Sequence, residues 1–155
     1  MARGANVKVL PPLLYAGPLI LLWLLDKVVP LRMSWGALDP VRSVVGWALV
    51  VLGLALMAWA GWAMTRAGTT VIPWSQVDAL VTRPPFTFTR NPIYLSDILV
   101  YLGVTLLLAT WWPLIGLPVI IWATVHFVIR HEEAYLRRRF GAPYEAYLAK
   151  VRRFI

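Results

Sequence analysis

Val44-Val45-Gly46-Trp47-Ala48-Leu49-Val50-Val51-Leu52-Gly53-Leu54-Ala55-Leu56-Met57-Ala58-Trp59-Ala60-Gly61-Trp62-Ala63-Met64 runs for 21 residues without a charge. A helix rises about 1.5 Å per residue, and the hydrocarbon of a bilayer is about 30 Å thick, so such a run is long enough to cross it. Three more apolar stretches accompany it, at residues 9–29, 92–109 and 112–129. The first is a comfortable length for a span, with Asp26 and Lys27 near its end. The last two are near the minimum. Only Thr110 and Trp111 separate them, which predicts an antiparallel helical hairpin with tryptophans at the membrane interface. Pro118, inside the last stretch, is expected to kink it.

Composition agrees. Hydrophobic residues make up 60% of the 155, against about 45–50% in ordinary soluble domains. The mean hydropathy is +0.69. The expected fold is an all-α integral membrane protein with about four transmembrane helices followed by short C-terminal amphipathic helices. It reads as one membrane domain over residues 1–155. Residues 1–64 hold two N-terminal spans, 65–91 a loop, 92–129 the hairpin and 130–155 a C-terminal segment. The N-terminal stretch lacks a small-residue cleavage site and reads as the start of a retained helix.

The net charge of +8 does not point to nucleic acid, because the basic residues sit at the ends of apolar runs and not on a solvated patch. Sorted by side across four spans, twelve Lys and Arg fall with the termini and the second loop, and three with the first loop. The positive-inside rule then places both termini in the cytoplasm. The Ala-, Arg- and Leu-rich composition and short loops suggest a prokaryotic plasma membrane. With no cysteine, disulfides, iron–sulfur clusters and Cys-ligated zinc are excluded. The two histidines, His126 and His131, lack the i, i+4 spacing of a helical zinc site, and no metal is expected.

Polar groups where a span meets water raise functional questions. His126, Arg130 and Glu133 are spaced i, i+4, i+7 and would share one face of a regular helix. Thr89-Arg90-Asn91-Pro92-Ile93-Tyr94-Leu95 opens the third span, with Pro92 suited to a first helical turn. Asp97 lies one turn further in, free to cap, to pair with an Arg or to face a cavity. Residues 78–82 are read as a short turn. The tail has apolar positions at helical spacing, interrupted by Gly141-Ala142-Pro143. Gly46, Gly53 and Gly61 offer a face for close helix packing.

Taken in order, Arg90-Asn91-Pro92-x-Tyr94, a hairpin, Glu132-Glu133, Phe140-Gly141 and the paired Tyr144 and Tyr147 with a basic end resemble the isoprenylcysteine carboxyl methyltransferase family. That family overlaps with the membrane phospholipid methyltransferases. The resemblance covers residues 68–153 and departs from the family at Arg83-Pro84-Pro85-Phe86, where a glycine-containing lead-in is usual. It implies a methyltransferase that binds S-adenosylmethionine at the cytoplasmic mouth of the bundle without a Rossmann fold. By that resemblance Arg90, Asn91, Pro92, Tyr94, Leu95, Arg130, His131, Glu132, Glu133, Tyr144 and Tyr147 are expected to bind the cofactor, and Arg90, His126 and Glu133 to be catalytic. A guanidinium suits the methionyl carboxylate, a carboxylate the ribose or amino group, and aromatic faces the adenine or sulfonium. The acceptor implied is a lipophilic or lipidated molecule, either an isoprenylcysteine-type carboxylate or a lipid amine, drawn from the membrane. Two other readings stay open: a sterol-reductase-like enzyme using NADPH, and a non-enzymatic transport or assembly module. The oligomeric state is open as well.

Overall fold

The computed structural model describes residues 11–70 and 77–154. Residues 9 and 10 of the first expected span, the basic Arg3 and Lys8, and positions 71–76 within the stretch that carries the resemblance lie outside them. The described residues are helical, with no strand and a single isolated bridge between Arg32 and Thr110. The helices are α1 (Pro11–Val28), α2 (Asp39–Arg66), α3 (Pro92–Leu108), α4 (Trp112–Thr124), α5 (Arg130–Phe140) and α6 (Ala142–Leu148). A π turn, Val125–Ile129, joins α4 to α5.

Two continuous helices are long and apolar enough to cross a bilayer. One is Gly36–Arg66, the short 3-10 turn and α2 together, with mean hydropathy 2.1; the other is Trp112–Phe140, with mean hydropathy 1.9. On α2, Val44, Trp47, Val51, Leu54 and Trp62 are exposed, an arrangement suited to lipid and not to water. The helix starts at Asp39, ahead of the apolar run that announces it. Asp39 and Pro40 suit a helix N-terminus. Buried Arg42 bonds Asp39 through Nε at 3.1 Å and donates through Nη1 to the carbonyl of Leu106, near the C-terminus of α3. A cation there meets the negative end of the α3 dipole.

α3 packs along α2 over most of its length, and α1 packs against both α3 and α4. The seam between α2 and α3 is built on glycine. A Cβ on Gly103 would lie 2.6 Å from the Gly46 carbonyl oxygen and 2.8 Å from the Val50 nitrogen. One on Gly53 would lie 2.9 Å from the Ser96 oxygen. Two of the three glycines read as a close-packing face thus serve contact within the chain. The expected hairpin of α3 and α4 exists as a connection, with Ala109 in the left-handed region at φ 54°. Its arms meet through side chains, with Tyr101 Oη donating to the Pro113 carbonyl at 2.9 Å, and their backbones seldom come close. Tyr15 of α1 meets Tyr101 of α3 edge-on, and both pack with Leu117 and Ile120 of α4.

At one end of the bundle, Asp26 ties the first loop to the α3–α4 turn. Its Oδ1 accepts from the Leu31 amide at 2.9 Å and from Thr110 Oγ1 at 2.8 Å, and its Oδ2 pairs with Arg32 at 3.2 Å. At the other end α5 leaves the apolar core. Six of its eleven residues carry formal charge, so α5 belongs outside the hydrocarbon, although it continues the α4 helix. Gly141, at φ 57°, turns the chain between α5 and α6, a conformation that costs a residue with a side chain but not glycine.

Candidate functional site

The second end of the bundle holds an open pocket, with about 980 Å³ of empty space when the solvent at its mouth is included. Met64 and Thr69 line it from the end of α2, and Leu80 and Val81 from the connecting segment. Arg90, Asn91 and Tyr94 contribute from the start of α3, Glu132 and Glu133 from α5, and Tyr144 and Tyr147 from α6.

The start of α3 is clamped by the C-terminal segment. The Arg90 amide donates to the Arg152 carbonyl at 3.0 Å. Thr89 Oγ1 and Asn91 Nδ2 both donate to the Arg153 carbonyl, at 3.0 and 2.9 Å. Phe154 packs against the cluster of Tyr94, Val128 and Ile129. The departure at Arg83-Pro84-Pro85-Phe86 forms a turn over residues 84–88, where the Phe86 carbonyl accepts from Tyr147 Oη at 2.7 Å. The turn expected at residues 78–82 is therefore displaced to the prolines. Residues 78–82 instead run irregularly along the pocket. Just before them, the Val77 amide donates to Tyr135 Oη and the Val77 carbonyl accepts from Arg139 Nε, both at 3.3 Å.

The adjacent carboxylates of α5 do different things. Glu133 is buried and engaged by two guanidiniums. Arg153 donates through Nε to Oε1 at 3.1 Å and through Nη2 to Oε2 at 2.7 Å, and Arg90 Nη1 lies 3.4 Å from Oε1. The fork-to-carboxylate geometry is the strong form of this pair, and it raises the Arg153 guanidinium above its ordinary value. Arg90 Nε is buried and has no partner among the described residues. Glu132 meets the pocket with no cation paired to it among the described residues; its Oε1 accepts from Tyr94 Oη at 2.8 Å. Burial pushes its carboxyl up to about 7, partly opposed by the Tyr94 hydrogen bond and assisted by the neighbouring Glu133. Burial also raises the phenols of Tyr144 and Tyr147, the latter to about 12. Both stay neutral, with ring centroids 6.1 Å apart.

Of the expected site residues, Arg90, Asn91, Pro92, Tyr94, Glu132, Glu133, Tyr144 and Tyr147 come together around the pocket. Leu95, Arg130, His131 and His126 do not line it. The single face expected for His126, Arg130 and Glu133 does not form. The π turn shifts the register, since its i→i+5 bonding offsets the succeeding turns by one residue from α-helical spacing. Glu133 turns inward, while His126 and Arg130 stay exposed. The His126 ring stacks on Trp122 at 5.3 Å, with its Nδ1 3.4 Å from Arg130 Nη1. Asp97 is buried in α3 outside the pocket lining, with Oδ2 unpartnered among the described residues. Sequence reasoning assigned no site role to Thr89, Arg153 or the Met64, Leu80 and Val81 side chains. Thr89 lies within the quoted motif, Leu80 and Val81 within the stretch that resembles the family, and Arg153 in the basic end, but Met64 carried no signal.

A sequence model described as phospholipid methyltransferase matches residues 41–143, from the first turns of α2 to the start of α6. No curated protein and no solved structure matches the chain.

Proposed function

The chain belongs to the phospholipid methyltransferase family, and on that footing we propose that it transfers a methyl group from S-adenosylmethionine to a lipid acceptor at the cytoplasmic face of the membrane. In this reading α1 and α3, with 18 and 17 residues, cross the bilayer alongside the two longer helices, tilted little. Both termini and the pocket then lie on the basic, cytoplasmic side.

The observation that carries the proposal is the polarity of the pocket. A largely buried guanidinium with an unpartnered Nε, Arg90, lines the same pocket as Glu132, whose carboxylate pairs with no cation among the described residues, with two neutral tyrosines and apolar side chains also in the lining. That set fits an elongated zwitterionic cofactor. Arg90 would hold its carboxylate, Glu132 its hydroxyls or ammonium, and the faces of Tyr144 and Tyr147 its base or sulfonium. When bound, S-adenosylmethionine supplies an electrophilic methyl group. The protein's part is to hold that methyl in line with the acceptor and to exclude water. Met64, Leu80 and Val81 supply an apolar wall for the second task. Tyr94 fixes the Glu132 carboxylate through its hydroxyl, leaving the other oxygen for a ligand.

Calorimetric titration of the purified protein in detergent with S-adenosylhomocysteine, the demethylated product, tests this. The wild type should bind saturably, and Glu132→Gln and Arg90→Gln should bind markedly more weakly. Binding of NADPH in its place, or of neither compound, would overturn the proposal.

A further inference from the structure

The Arg90–Glu133 contact, taken alone, is unfavourable for binding an anion. A buried carboxylate beside a guanidinium satisfies it internally and competes with any ligand carboxylate. Glu133 is 8% exposed and Arg90 15%, so neither can turn to bulk water for a substitute. Yet Arg90 pairs with Glu133 through a single nitrogen, Nη1, at 3.4 Å, and its buried Nε has no partner among the described residues. The reason is Arg153, whose fork takes both oxygens of Glu133 at 3.1 and 2.7 Å.

We propose that Arg153 is a positioning residue of the cofactor site: by engaging both oxygens of Glu133 it limits that carboxylate's pairing with Arg90 to one nitrogen, and so leaves the rest of the Arg90 guanidinium available for the cofactor's carboxylate. The inference rests on the reading of Arg90 as a cofactor ligand. Its geometry is secured from three directions. The backbone of Arg152 and Arg153 accepts hydrogen bonds from Thr89, Arg90 and Asn91. Phe154 is anchored in the cluster around Tyr94 and Ile129. Glu133 sits on α5, directed inward by the π turn. Arg153 is partly exposed, at 34% of its side chain. It is therefore the most exposed member of the triad.

The test is a cycle of full-length variants titrated with S-adenosylhomocysteine, with thermal unfolding of each to confirm folding. Arg153→Gln lets Glu133 close on Arg90. Its affinity should fall on the order of tenfold or more, the loss of about one charge-assisted hydrogen bond. Arg153→Lys, which cannot form the fork, should fall between that variant and the wild type. The informative member is Glu133→Gln combined with Arg153→Gln. With the competing charge gone, Arg90 is free again, and the affinity lost in Arg153→Gln should largely return. A merely structural Arg153 would give a double variant weaker than either single one. If the wild type binds but Arg153→Gln binds equally well, or the double variant shows no recovery, the positioning role is refuted while the methyltransferase reading stands. If the wild type itself does not bind, the underlying reading fails and the inference with it.

Discussion

Glu132→Gln should make the protein more stable and less functional, with a pH dependence that follows from where the carboxyl sits. Burial moves the Glu132 carboxyl from its ordinary 4.5 to about 7. Between those two values the folded protein holds a proton that the unfolded chain has released. Stability therefore declines as pH rises through this window and levels off above about 7. At about 1.4 kcal/mol for each pH unit between the two values, the full effect is roughly 3 kcal/mol, and water reaching Glu132 through the pocket mouth takes a share of it. Glutamine keeps an oxygen to accept the 2.8 Å hydrogen bond from Tyr94 and carries no charge to bury. The variant should match the wild type near pH 4.5 and exceed it by up to about 3 kcal/mol at pH 8. Reversible unfolding in mixed micelles, followed by circular dichroism at half-unit pH steps, measures the difference directly. Parallel wild-type and variant curves from pH 5 to 8 would show that Glu132 is not held protonated by burial. A stabilising change that also abolishes cofactor binding is the pattern expected where a site is maintained against stability.

Three further outcomes are expected. Gly103→Ala forces its new methyl against the backbone of Gly46 and Val50 and should cost roughly 1–3 kcal/mol, seen as a lowered Tm; Gly17→Ala, with nothing within 4 Å of the added carbon, should not. Asp26→Ala removes the acceptor of Leu31 and Thr110 at the far end of the bundle. Thermal unfolding should show a Tm lower by roughly 5 °C, while affinity for S-adenosylhomocysteine stays at the wild-type value. His126→Ala should leave that affinity unchanged in the same titration, because its ring faces outward onto Trp122.

The parts of the fold that depend on local pattern are legible in the sequence. The charge-free run of residues 44–64 marks α2, Pro92 marks the first turn of α3, and Gly141 marks the break between α5 and α6. The two motifs that meet at the pocket are also visible, since Arg90-Asn91-Pro92-x-Tyr94 and Glu132-Glu133 both lie at the ends of apolar stretches. Register and distance are not. Nothing in Val125-His126-Phe127-Val128-Ile129 announces a π turn, and a helix drawn at constant pitch puts His126 with Glu133 when the fold parts them. Arg42 interrupts the apolar pattern of α2, so the helix looks shorter than it is; its charge is accommodated by a carbonyl 64 residues away. The Arg153–Glu133 fork and the bonds from Thr89 and Asn91 to Arg153 are tertiary contacts between segments with no common periodicity.

The glycine seam bears on how a lipid reaches the pocket. An interval that cannot take one added carbon at Gly103 or Gly53 has no room for an acyl chain, so the line between α2 and α3 works as a closed gasket along that stretch. In the proposed function, a lipid acceptor moving in the plane of the membrane would enter away from that stretch. Met64 of α2 and Ile93 of α3 both border the pocket and would flank such an entry. Its tails would stay outside, against the exposed tryptophans of α2, and only its headgroup would enter.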